Sequence, residues 1–186
     1  SLLLAESCRS KGYRVGILDC CAENLGYKQA SKRIEEINAK VTLFVVYGQN
    51  PNAGTTSMIG ATGLAECVYD SGVDTKIGFV GSHVSALPKS VLKLKFVDFV
   101  LLNEGVYALW NLLKTNLKYE DLKNIKGIGW KDNDKNLIIN NPEDIVPQER
   151  MDIDLPGYAW DLLPMKKTPL DLYRSHVWHA NFNEAK

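Results

Sequence analysis

The 186 residues are 45% hydrophobic and 24% charged, enough for one domain of roughly 100–150 residues plus a further segment. Lys and Arg number 22 and Asp and Glu number 22, so the formal net charge is zero; without a basic stripe to match a phosphate backbone, no nucleic-acid partner is expected. No apolar run approaches the ~20 residues that span a bilayer, and no charged-then-apolar leader precedes the first pattern, so no membrane partner is expected either.

In chain order, Leu2, Leu3, Leu4, Ala5 and Cys8 predict an opening helix with Gly12 just past its end. So apolar a helix needs a sheet to lie on, and the strand that would feed it is expected ahead of Ser1. The polar stretch HANFNEAK closes the sequence, so both ends read as cut from something longer. A short strand is predicted over 13–18, then a helix over 27–39 with Ala30, Ile34 and Ile37 on one side. The run VTLFVVY (41–47) is apolar and β-branched, the mark of a strand buried on both faces of a parallel sheet.

A turn-rich loop, GQNPNAG (48–54), leads to Thr55, Thr56 and Ser57, which predict the start of a helix reaching about Ser71. There follow a strand over 76–80, a loop over 81–87, a short helix opened by Pro88, a strand over 97–102, a loop over 103–105 and a helix over 106–115. Alternating helices and apolar strands predict an α/β fold with a doubly wound, flavodoxin-like parallel sheet lacking its first strand. Residues 127–131 and 137–140, joined by Asp132-Asn133-Asp134, predict a β-hairpin. Prolines 142, 147, 156, 164 and 169 predict an extended linker, with Trp160 and Leu163 anchoring it. The expected division is therefore 1–120 sheet domain, 121–141 hairpin appendage and 142–186 linker.

In such sheets ligands bind beyond the carboxyl ends of the strands. Three loops share that edge: 48–54, 81–88 and 103–106. Gly48, Gly81 and Gly105 each follow a strand closely, where a missing Cβ lets a ligand approach the main chain. Helix starts at Thr55 and Val106 would offer N–H groups to a phosphate or carbonyl. Any one loop reads equally as a tight turn; three together favour a ligand edge. His83 suits a hydrogen-bonding loop residue better than a metal ligand or catalyst. Glu104 fits either of two tasks, orienting a ligand or capping the next helix. His176 and His179 share a helical face but lack a third ligand. There is no GxGxxG, no GxxxxGK[ST] and no nucleophile elbow, so no catalytic residue and no metal ligand is assigned. The four cysteines, Cys8, Cys20, Cys21 and Cys67, show no CxxC or CxxxCxxC spacing; their apolar neighbours predict buried reduced thiols and a cytoplasmic protein.

The succession GSHVSALP, VDFVLLNEGVYALWNLL, IKGIGWKDNDKNLIINNP and DLPGYAWDLLPM resembles the amino-terminal cobalamin-binding domain of the B12-dependent radical S-adenosylmethionine enzymes. That family carries a GGxHxxxxP loop, an acidic GExE-like loop, a small hairpin and an LPxxAWDLL linker in this order, and the resemblance covers residues 1–165. It implies cobalamin as cofactor, with Gly81, Ser82 and His83 in the first loop and Glu104 and Gly105 in the second. Gly48, Gln49 and Asn50 fall in the loop after the earlier strand, which also lines the cofactor in that family. Ser82 replaces a glycine, and Asn103 and Val106 replace the residues flanking the acidic motif. DxHxxG is absent, since Gly81 stands where Asp is needed, so no histidine ligand to cobalt is implied. The resemblance further implies a radical S-adenosylmethionine barrel downstream in the same chain, holding a [4Fe–4S] cluster and S-adenosylmethionine. Its CxxxCxxC is absent here, so this stretch alone would bind cofactor without performing radical chemistry, with methyl transfer or a related rearrangement as the expected reaction of the whole. The other reading is a non-catalytic flavodoxin-like ligand-sensing or interaction domain.

Overall fold

The computed structural model describes residues 1–48, 51–115 and 117–164. Five strands form one sheet in the order of the chain: β1 (Val41–Val45), β2 (Lys76–Val80), β3 (Phe99–Leu101), β4 (Ile128–Lys131) and β5 (Leu137–Ile139). The first three run parallel, and β4 and β5 join antiparallel. The sheet is therefore mixed rather than wholly parallel. The hairpin does not stand apart, because Trp130 of β4 pairs with Phe99 of β3 and continues the ladder.

Strand alternation sends side chains to two cores. On one face Ile77, Phe79 and Val100 meet α2 (Tyr27–Ile37), α3 (Pro51–Asp70), α4 (Ser82–Ala86) and α5 (Pro88–Leu92). On the other, Val80, Phe99, Leu101, Ile128 and Trp130 meet α1 (Leu2–Ser10), α6 (Val106–Leu113) and α7 (Tyr119–Leu122). Period-two side-chain placement, with apolar residues at both phases, is what lets one strand serve two helical layers. Phe44 stacks on Phe79 with ring centroids 4.9 Å apart on the first face, and Gly78 leaves room on the second for the Phe99 ring.

Several expectations shift. No strand is assigned over 13–18. Tyr13 and Val15 pack on one core and Leu18 on the other, but a strand also needs a ladder partner, and none of the described residues supplies one. Consequently β1 is an edge of the sheet, and its five apolar-rich residues are all only partly buried. α3 begins at Pro51, not Thr55. Proline lacks the N–H that a first helical turn leaves unbonded, while Thr56 and Ser57 bond back to the carbonyls of Asn52 and Ala53 instead of capping.

The residues after β5 are not simply extended either. A 3-10 turn at Gln148–Arg150 leads into α8 (Met151–Asp154), and a second turn forms at Trp160–Leu162. Trp160 is 56% exposed and is not the anchor; Ala159 and Asp154 are buried instead. Asp154, with no exposed surface, accepts from Arg150 Nε at 2.6 Å and Nη2 at 2.9 Å, from the Tyr107 hydroxyl at 2.8 Å and from Lys11 Nζ at 3.4 Å. Lys11 also lies 4.1 Å from the Trp110 ring centroid. Arg9 reaches Asp161 at 2.7 Å, so the tail is tied along α1 and α6. No helix among the described residues is long and apolar enough to cross a membrane.

A candidate ligand rim at the carboxyl ends of the parallel strands

β1, β2 and β3 all deliver their following residues to one edge. The ladder runs one step past β1, where Val46 N–H donates to Val80 O at 2.8 Å. Gly81 follows with φ +152° and ψ 175°, backbone that only glycine adopts readily. A side chain there would strike the Val46 carbonyl. Gly48 is likewise pressed against Ala53 and the Gly54 amide, and a Cβ on Gly54 would come within 2.8 Å of Ser82 Oγ. Gly105, at φ +70°, has its Cβ position filled by Val80 and Leu101. The space beside these glycines is thus taken by protein. Their physical task is to draw the loops together, not to admit a ligand to the main chain.

Side chains then stitch the loops. Thr55 Oγ1 and His83 Nδ1 are 3.0 Å apart, linking α3 to α4. Ser85 Oγ accepts from the Asn103 amide at 2.9 Å, linking α4 to the third loop. The Tyr47 hydroxyl donates to Asn103 O at 2.9 Å, linking the first loop to the third. Asn103 itself stands at φ +55°, a left-handed conformation asparagine tolerates better than most. His83 is therefore a hydrogen-bonding residue, on a short helix rather than in a loop. Glu104 neither caps α6 with its side chain nor stands alone: Oε2 accepts the Val146 N–H at 3.0 Å. Burial foremost, and next the Glu104 carboxylate, raise the pKa of Tyr47.

Of the predicted site residues, Gly48, Gly81, Ser82, His83, Glu104 and Gly105 come together on this rim. Gln49 and Asn50 lie outside the described residues, as do His176 and His179. Tyr47, Thr55, Ser85 and Asn103 were not singled out as site residues, yet they form the stitches. Ser82 and Ser85 are three apart on a short helix, a spacing that placed both near one face. Tyr47 and Leu87, each 50% exposed, present apolar surface beside the stitches, and the rim is an open shelf. Among the described residues no cluster of three metal-ligating side chains occurs. The four thiols are free, but only Cys8 is buried and Cys21 is exposed, so the expectation of uniformly buried cysteines fails for the loop after 13–18. Burial pushes the Cys8 thiol up to about 11.

The architecture is an α/β mixed sheet with helices on both faces, of Rossmann-like type, carrying its loop cluster at the parallel strands' carboxyl ends. No protein-family model matches the chain. Over 158 residues it is 27% identical to an uncharacterized methyltransferase of Pyrococcus horikoshii, covering 84% of this chain and 32% of that protein. Among solved structures, the cobalamin-dependent S-adenosylmethionine radical enzyme OxsB, with aqua-cobalamin and S-adenosylmethionine bound, is similar with a TM-score of 0.65. The identity is 17%, over 86% of this chain and 21% of that one. The apo, selenomethionine-labelled form gives a TM-score of 0.55 at 15% identity, over 82% and 22%. At such identities the likeness to OxsB is one of fold. The chain spans about a third of the methyltransferase and about a fifth of OxsB.

Proposed function

We propose that this chain binds cobalamin on the rim and positions it for a radical S-adenosylmethionine reaction, methyl transfer or a related one. The observation that carries the reading is the joining of three strand-end loops by the Thr55–His83, Ser85–Asn103 and Tyr47–Asn103 hydrogen bonds. A broad, flat ring with an amide fringe needs an open shelf with apolar surface and scattered polar atoms, not a closed pocket. Tyr47 and Leu87 supply the apolar surface, and Ser82, His83 and the loop 48–50 supply polar groups. Gly81 and Gly105 are buried and shape the rim from beneath. The fold likeness to OxsB, a cobalamin-dependent enzyme, and the sequence likeness to a methyltransferase support the same reading.

When bound, the corrinoid would supply the methyl-carrying metal centre; this chain's residues hold and orient it. The [4Fe–4S] cluster and S-adenosylmethionine belong, on this reading, to a barrel elsewhere in the same polypeptide, in the cytoplasm. Titration of the full chain with hydroxocobalamin tests the assignment through the corrinoid visible absorption. A saturable spectral change is expected, together with corrinoid in protein purified anaerobically from a B12-replete host. Absence of both leaves a sheet domain with some other ligand or none.

A further inference from the structure

The segment after β5 passes the rim before reaching α8, and its path is held at stated points. Asn141 O accepts the Gly127 N–H at 2.7 Å. Gly127 stands at φ +68°, and a side chain on it would come within 2.7 Å of Glu143 Cβ, so the crossing requires glycine there. Asn111 Nδ2 donates to Glu143 Oε2 at 3.3 Å. Val146 is buried in the core shared by Val80 and Leu101. Its N–H is bound by Glu104 Oε2 at 3.0 Å. Between these holds Ile145 stands 61% exposed, next in sequence to the residue that the third rim loop grips. An apolar side chain kept in water beside a loop cluster is surface available to a ligand.

We infer that Glu104 is a positioning residue: by holding the Val146 N–H it clamps the 142–147 strap against the third loop and sets Ile145 as a side wall of the rim. The inference rests on the cobalamin reading for what the wall serves, but not for the clamp itself. It differs from ligand orientation by a carboxylate in one chemical respect. A backbone N–H needs only an acceptor oxygen, which a glutamine amide also offers, whereas a charge-dependent ligand contact does not survive that exchange.

Two readouts on the full chain decide the matter: the rate of limited proteolysis between Glu143 and Arg150, and the hydroxocobalamin titration. Glu104→Ala is expected to speed cleavage of the strap and to weaken corrinoid binding by about tenfold, the scale of one lost hydrogen bond to a charged group. Glu104→Gln is expected to restore both. Ile145→Ser should weaken binding with cleavage unchanged. The inference is overturned if Glu104→Ala leaves cleavage unchanged, or if Glu104→Gln loses binding as fully as Glu104→Ala while its strap stays protected. Failure of the unaltered protein to take up corrinoid removes the wall's purpose and the cofactor reading together, whereas unchanged cleavage with corrinoid uptake intact removes the clamp alone.

Discussion

Gly81 and Gly60 separate two uses of the same amino acid. At Gly81 the backbone lies at φ +152° with the Val46 carbonyl where a Cβ would stand. Gly81→Ala is therefore expected to destabilise by about 2–4 kcal/mol, combining backbone strain with overpacking. Gly60 lies exposed within α3 and has nothing within 4 Å of its Cβ position. Gly60→Ala should stabilise by about 0.5–1 kcal/mol through helix propensity. Urea midpoints at unchanged slope give both values; equal effects at the two positions would remove the argument that Gly81 shapes the rim. Both glycines were visible in the sequence, but only one follows a strand. That position marked Gly81 for a rim, although the expected reason, access for a ligand, is replaced by closeness of the loops to each other.

α8 is four residues long and owes its place to Asp154 rather than to its own hydrogen bonds. An unfolded aspartate titrates near ~3.9. In the fold the Arg150 guanidinium, helped by Tyr107 and Lys11 and opposed by burial, holds the Asp154 carboxyl below its ordinary range. With the folded pKa depressed, the contribution to stability is complete above roughly pH 4–5 and declines as pH falls through and below the unfolded value. Acidification from neutral should thus lower the melting temperature of the native protein more steeply than that of Asp154→Asn. At neutral pH the same variant should be cleaved faster after Arg150. Equal acid slopes for the two proteins would show that the cluster carries no titrating contribution. Elements of this kind were only partly legible. The hairpin and the helices around 27–37, 88–92 and 106–113 were, because turn residues and a 3.6-residue apolar spacing are local signals. The 13–18 segment has a strand's alternation but no neighbour to pair with, and pairing is not written in its own residues. The start of α3 was misplaced because Thr and Ser serve equally as caps and as back-bonding residues. Glu104 was left between two roles, and its partner, an amide forty-two positions on, belongs to chain path rather than to motif.

Across the whole molecule one sheet carries both cores, and the loops that gather at its rim do so because three parallel strands end in register, Val45 beside Val80 and Val80 beside Leu101. The order of apolar strands and helices made that layering legible; the antiparallel seam between β3 and β4 was not, since a ladder's direction depends on which strand the hairpin meets. At the far side of the same sheet, β1 has a neighbour only in β2. Lys40 O and Val46 N–H both engage β2, and backbone groups alternate sides along a strand. The amides of Val41, Leu43 and Val45 therefore face outward. Solvent deuterium should enter those three amides quickly while Thr42, Phe44 and Val46 resist, an every-other-residue stripe readable by NMR. Such a row is also a template for another chain's strand, so residues 1–186 should associate as their concentration rises. Val41→Pro deletes an outward N–H at the first strand residue, where proline is tolerated, and should weaken that association; sedimentation of the two proteins compares them directly.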